Sequence, residues 1–135
     1  MPRKTDSNNP ADWLWIAASD LDMVQMAAEQ EISFSAARGK LAEILEKILK
    51  AELIRTGWQL EKTHDLNRLL DLLVERKSDL LLTIEPLCDA LVQAYFTDRY
   101  PGFDLDDPDW PRLREQVEQV TALLQSVKSR LPGKP

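Results

Sequence analysis

The stretch FSAARGKLAEILEKILKAELIRTG, residues 34–57, decides the fold. Its apolar residues Phe34, Ala37, Leu41, Ile44, Leu45, Ile48 and Leu53 recur mostly at three- and four-residue steps, the period of one helix face. Ser33 or Ser35 is placed to cap the start, and Gly57 to stop the helix. Glu43 and Lys47 are four apart, an ordinary stabilising helix pair. Gly39 interrupts the pattern at a cost of about 1 kcal/mol relative to Ala, which a close helix approach would offset.

Working outward, the same period recurs on both sides. Upstream, residues 1–8 are polar and read as loose. Asn9-Pro10 then gives an N-cap followed by proline at the first helical position, so a helix is predicted from about Pro10 to Gln30. Its stripe is Leu14, Ala17, Leu21, Val24 and Ala28, with Trp13 and Trp15 flanking it and read as packing. Downstream, 58–62 is a connection, and Thr63 is the expected cap of a third helix carrying Leu66, Leu69, Leu70 and Leu73 and fading near 76–78. A fourth helix holds Leu87, Leu91, Ala94 and Tyr95. Because proline fits only a first turn, Pro86 places its start near Ile84, and it must end before Pro101. The stretch 100–110, rich in Pro, Gly and Asp, reads as loop. A last helix begins near 109–111 with Leu113, Val117, Val120, Leu124, Val127 and Leu131, and the tail 132–135 frays. About five helices with mostly short connections imply an all-α, up-and-down antiparallel bundle. With no repeat and no linker, the chain reads as one domain, 1–135, with a helical core of about 10–131.

Composition narrows the function. The 135 residues are 44% hydrophobic and 30% charged, the balance of a globular protein. A net charge of −6 disfavours non-specific binding to DNA or RNA, where clustered cations must neutralise phosphates. Cys88 is the only cysteine, so no intrachain disulfide forms; with no signal-like N-terminus, a reducing cytoplasm is expected. No apolar run approaches the roughly 20 residues of a membrane span. No phosphate loop, G-x-G-x-x-G or C-x-x-C occurs. The single histidine, His64, leaves little room for a metal site, and no metal or cofactor is expected.

Three patches are candidates for chemistry: Glu46-Lys47-Ile48-Leu49-Lys50-Ala51, then Thr63-His64-Asp65-Leu66, then Arg99-Tyr100-Pro101 after Tyr95-Phe96. In this order they resemble the HEPN family (higher eukaryotes and prokaryotes nucleotide-binding domain). Its pattern is an A-x-E-K-x-x-K-A stretch, a glycine, H-[SD]-L, and an aromatic-rich helix ending in R-Y-P. Ser19-Asp20-Leu21 is similar to the family's first-helix D-L, and the resemblance spans roughly 12–128. One departure is that the small residues the family often carries before the glutamate are here Ile44 and Leu45.

The resemblance implies a helical bundle similar to the helical domain of kanamycin-type nucleotidyltransferases. Many HEPN proteins are homodimeric, metal-independent ribonucleases with an R-x(4–6)-H motif. Here Arg55 has eight residues between it and His64, too many for that window, and Arg99 is followed at the required spacing by Asp104, Leu105 and Asp106. The motif is absent. The R-Y-P branch instead implies a homodimer that binds a nucleotide or a small nucleotidyltransferase partner, as half of a toxin-antitoxin-like pair, without catalysing transfer. Its candidate binding residues are Lys47, Lys50, His64, Arg99 and Tyr100. The alternative is a divergent ribonuclease using His64 with Arg99 or Arg55. Each candidate also has a plain structural reading: His64 as helix-start packing, the lysines as solvated helix face, Arg99 as a loop tie, Tyr95, Phe96 and Tyr100 as core, and Asp104 to Asp109 as solvated loop and cap.

Overall fold

Asn9 and Pro10 start the first helix as their chemistry dictates: the Asn9 side chain accepts from the Ala11 amide at 3.0 Å, and Pro10 occupies the first turn. The computed structural model describes residues 7–92 and 108–131. Within them lie α1 (Pro10–Gln30), α2 (Phe34–Arg55), α3 (Leu66–Glu75), α4 (Leu81–Leu91) and α5 (Trp110–Lys128). The described residues contain no strand, so the chain is an all-α helical bundle.

Helix α2 is the axis of the bundle and packs against each of the other four helices. The stripe read from sequence is buried from Ala37 onward, with Phe34 half-buried at its start, and Ala42, Leu49, Ala51 and Ile54 on the other sides are buried too. A helix buried over most of its circumference fits a chain whose outer helices bury only one face each. Ile44 and Leu45, the larger residues at the family's small positions, are fully enclosed. The three-residue turn after α1 reverses the chain, with Glu31 and Ser33 both in the left-handed region. Ser33 is the N-cap of α2 but makes no side-chain capping bond. Helix α5 runs antiparallel to α1: Gln25 Nε2 donates to Thr121 Oγ1, and Arg114 donates to the Ala28 carbonyl and to Glu31. Phe34 meets Trp110 edge to face, with ring centroids 5.1 Å apart.

Helix α2 stops where Gly57 was expected to stop it. Gly57 has φ +102°, and the Trp58 amide closes onto the Leu53 carbonyl. Two other expectations are corrected. The cap of α3 is Asp65, whose carboxylate accepts from the Asn67 amide at 2.9 Å. Thr63 acts one step earlier, accepting from the Asp65 amide. Helix α4 begins at Leu81, three residues before Ile84, so Pro86 lies inside it. Proline leaves the Leu82 carbonyl without its helical donor. Leu82 is 93% exposed, so water reaches that turn and lowers the cost. The two tryptophans of α1 also part company: Trp13 is buried, whereas Trp15 is 76% exposed. The expected continuation of the fourth helix through Ala94 and Tyr95, the stretch 100–107 and both chain ends lie outside the described residues. No described helix is long and apolar enough to cross a membrane.

Candidate ligand site around Glu46, Lys50 and His64

The residues singled out at positions 46, 50 and 64 meet in space. Lys50 is one turn beyond Glu46 on α2, so both point the same way, and Lys50 Nζ donates to Glu46 Oε2 at 2.9 Å. Both residues are about 5% exposed or less. The connection ahead of α3 brings His64 to the same carboxylate, with Nδ1 3.1 Å from Oε2 and 3.3 Å from Oε1. The Lys50 ammonium also lies 5.2 Å from the centroid of the Trp13 ring, a cation–π contact. Trp13 Nε1 in turn donates to the Ser7 carbonyl at 2.8 Å.

This arrangement has a defined electrostatic logic. A buried carboxylate needs a cation, and Lys50 supplies it inside the protein. An ionised carboxylate only accepts, so the contact with His64 puts a proton on Nδ1. Nε2 is then an acceptor in the neutral ring and a donor in the imidazolium. The His64 side chain is 70% exposed while its partner carboxylate is 7% exposed. The outcome is an imidazole at the surface whose orientation is fixed from below. Such a group can bind an anion or move a proton. Lys47, on the next position of α2, lies 3.6 Å from Asp20 Oδ2 of α1. Asp20, Glu46, Lys47, Lys50 and His64 therefore form pairs linking α1, α2 and the α3 approach, and Leu21, Ala42, Ala51 and Leu66 beside them are buried.

The other candidates are placed elsewhere. Arg55 is held bidentately by Glu52, at 2.8 and 2.9 Å, a contact that raises its pKa further. Glu52, 1% exposed, is also reached by Arg130 Nη1 at 3.2 Å, and Arg130 forks onto Asp79 at 2.8 and 2.9 Å. Sequence reasoning missed this second network. Its only sequence signal is the Glu52–Arg55 spacing, because Asp79 and Arg130 arrive from distant parts of the chain. Arg99 and Tyr100, with Tyr95, Phe96 and the acidic residues Asp104, Asp106 and Asp107, lie outside the described residues. Cys88 is fully enclosed and its thiol is pushed up to about 12 by burial, so it is no nucleophile at neutral pH. Among the described residues no group of three His, Cys, Asp or Glu side chains could hold a metal ion.

Comparison with curated proteins and with solved structures gave no match. Comparison with protein families gave the HEPN domain, matched over residues 11–128, which takes in every described helix from Ala11 onward and the whole Glu46–Lys50–His64 network. The chain belongs to the HEPN family.

Proposed function

We propose that this HEPN domain is a non-catalytic binding module of the cytoplasm. It works as a homodimer that takes up a nucleotide, a small nucleotidyltransferase partner, or both, as one half of a toxin-antitoxin-like pair. Family membership without the R-x(4–6)-H ribonuclease motif supports a binding role over cleavage. The observation that carries the choice of site is the exposed His64 ring braced by the buried Glu46 carboxylate. In this reading His64 contacts a phosphate or base, and Lys47 adds positive charge by exchanging Asp20 for the ligand. Lys50 acts through Glu46, since its ammonium is enclosed. Arg99 and Tyr100 complete the set from the sequence alone.

The test has two arms. Purified protein is titrated with a panel of nucleoside mono-, di- and triphosphates, and tagged protein is recovered from its native host with identification of what copurifies. Nucleotide binding weakened by His64→Ala, or a stoichiometric nucleotidyltransferase, is the expected result. Absence of both overturns the proposal. The rival reading, a divergent ribonuclease, has its own signature: metal-independent RNA cleavage that disappears in His64→Ala. The oriented imidazole is the feature in its favour, and the failed arginine spacing and the acidic charge count against it.

A further inference from the structure

Helix α1 has two apolar faces, and only one is used by the core. The inner face buries Leu14, Ala17, Leu21, Val24 and Ala28. On the outer face Trp15, Met23 and Met26 are 76%, 57% and 59% exposed. At 100° per residue these three fall within an arc of about 80°. Ile32, 51% exposed, continues the patch past the end of the helix. Beside it a groove of ≈ 350 Å³ opens between α1 and α2, lined by Met23, Met26, Ala27, Ile32, Ala36 and Lys40. Trp15 stands apart, with Ser19 and Asp22 between it and Met26 on the same stripe; Met23, Met26, Ile32 and the groove form one exposed apolar patch, and such a patch marks an interaction site more often than isolated residues do.

Charge identifies the occupant. Helix α1 contains no lysine or arginine; its charged residues are Asp12, Asp20, Asp22 and Glu29. Asp20 is turned toward Lys47, leaving Asp12, Asp22 and Glu29 around the outer face. On the far wall of the groove Lys40 is paired with Glu43 at 3.7 Å. A second copy laid face to face on α1 would oppose carboxylates to carboxylates, and an anionic membrane would be repelled in the same way. A helix with an apolar stripe flanked by Lys and Arg meets both features. Methionine is suited to it, since its flexible thioether adapts to the anchors of an incoming helix.

We propose that the outer face of α1, with the groove beside it, docks a basic amphipathic helix of another protein. This does not rest on nucleotide binding, because its anchors Met23 and Met26 take no part in the Glu46–Lys50–His64 network, which meets α1 at Trp13. The probe is a labelled helical peptide of about 18 residues, roughly five turns, with a Leu/Met stripe flanked by lysines, and a matched peptide with glutamate at each lysine. Binding is followed by fluorescence anisotropy, and folding of each variant by circular dichroism. The cationic peptide binds at least about tenfold more tightly than the anionic one and weakens as salt is raised. Met23→Ser/Met26→Ser loses about tenfold, a loss of apolar anchors, and Asp22→Lys/Glu29→Lys removes the preference for the cationic peptide. No binding, equal binding of both peptides, or binding unchanged in the methionine variant overturns the proposal. So does self-association of the wild type that Met23→Ser/Met26→Ser abolishes, which would assign the face to a second copy.

Discussion

Helix α2 carries two buried glutamates, and their surroundings differ in a way that separates function from support. Glu52 is saturated: two guanidiniums reach it, one of them shared with Asp79, so the network ties the end of α2 to the start of α4 and the end of α5. Every charge there is matched by a partner on the same chain. Glu46 is neutralised by the enclosed Lys50, yet its second partner is the largely exposed His64. The Glu52 network joins segments from three parts of the chain. The Glu46 network instead reaches the surface at His64, whose side chain is 70% exposed.

The largest expected effect comes from breaking the Glu46 pair. Lys50→Met leaves a buried carboxylate without its cation and destabilises the fold by about 3–5 kcal/mol. Thermal or denaturant unfolding measures this, with a melting shift on the order of 10 °C. The double variant Glu46→Leu/Lys50→Met recovers most of that loss, because well-packed apolar residues replace a buried pair at little net cost. A double variant as unstable as the single one would mean that the pair itself, and not the orphaned charge, carries the stability.

Arg130→Ala is next. It costs about 1–2 kcal/mol in the same assay, since Glu52 keeps Arg55 and loses one charge-assisted bond. The Asp79 arm sharpens the comparison through pH. Hydrogen bonding to Arg130 holds the Asp79 carboxyl below its ordinary 3.8. A depressed carboxyl contributes stability above its unfolded value and loses it as pH falls through its folded value. Asp79→Asn is therefore less stable than the parent at pH 7, and the gap closes as the solution is acidified below about pH 4. A gap that persists in strong acid would show that Asp79 acts through packing.

The helices were legible because their signals are local. Capping by Asn9-Pro10, the stop at Gly57 and the three- and four-residue stripes all lie within one turn of the structure that they specify. The errors arose where two local signals competed or where tertiary context decided. Thr63 and Asp65 both cap well, and only the one beside the buried Leu66 starts α3. Pro86 was given its ordinary place in a first turn, whereas solvent at Leu82 lets α4 begin one turn earlier. For the site, the E-K-x-x-K and H-D-L segments could be found by pattern. That His64 meets the carboxylate which Lys50 serves depends on a contact eighteen residues apart in sequence. Nothing in local spacing gives that, and nothing gives the meeting of Glu52 and Asp79 at Arg130 either.

The smallest effect on stability and the largest on binding are expected at the same residue. His64→Ala removes a side chain that is 70% exposed, so its melting temperature stays close to the parent's. The most direct measurement is a calorimetric titration of nucleoside triphosphate into the parent and into His64→Ala, with Arg130→Ala as the control from the Glu52 network. The account predicts binding to the parent and to Arg130→Ala, with His64→Ala weaker by about tenfold, the loss of one charge-assisted contact. Equal affinity in all three proteins, or weakening by Arg130→Ala alone, would contradict it.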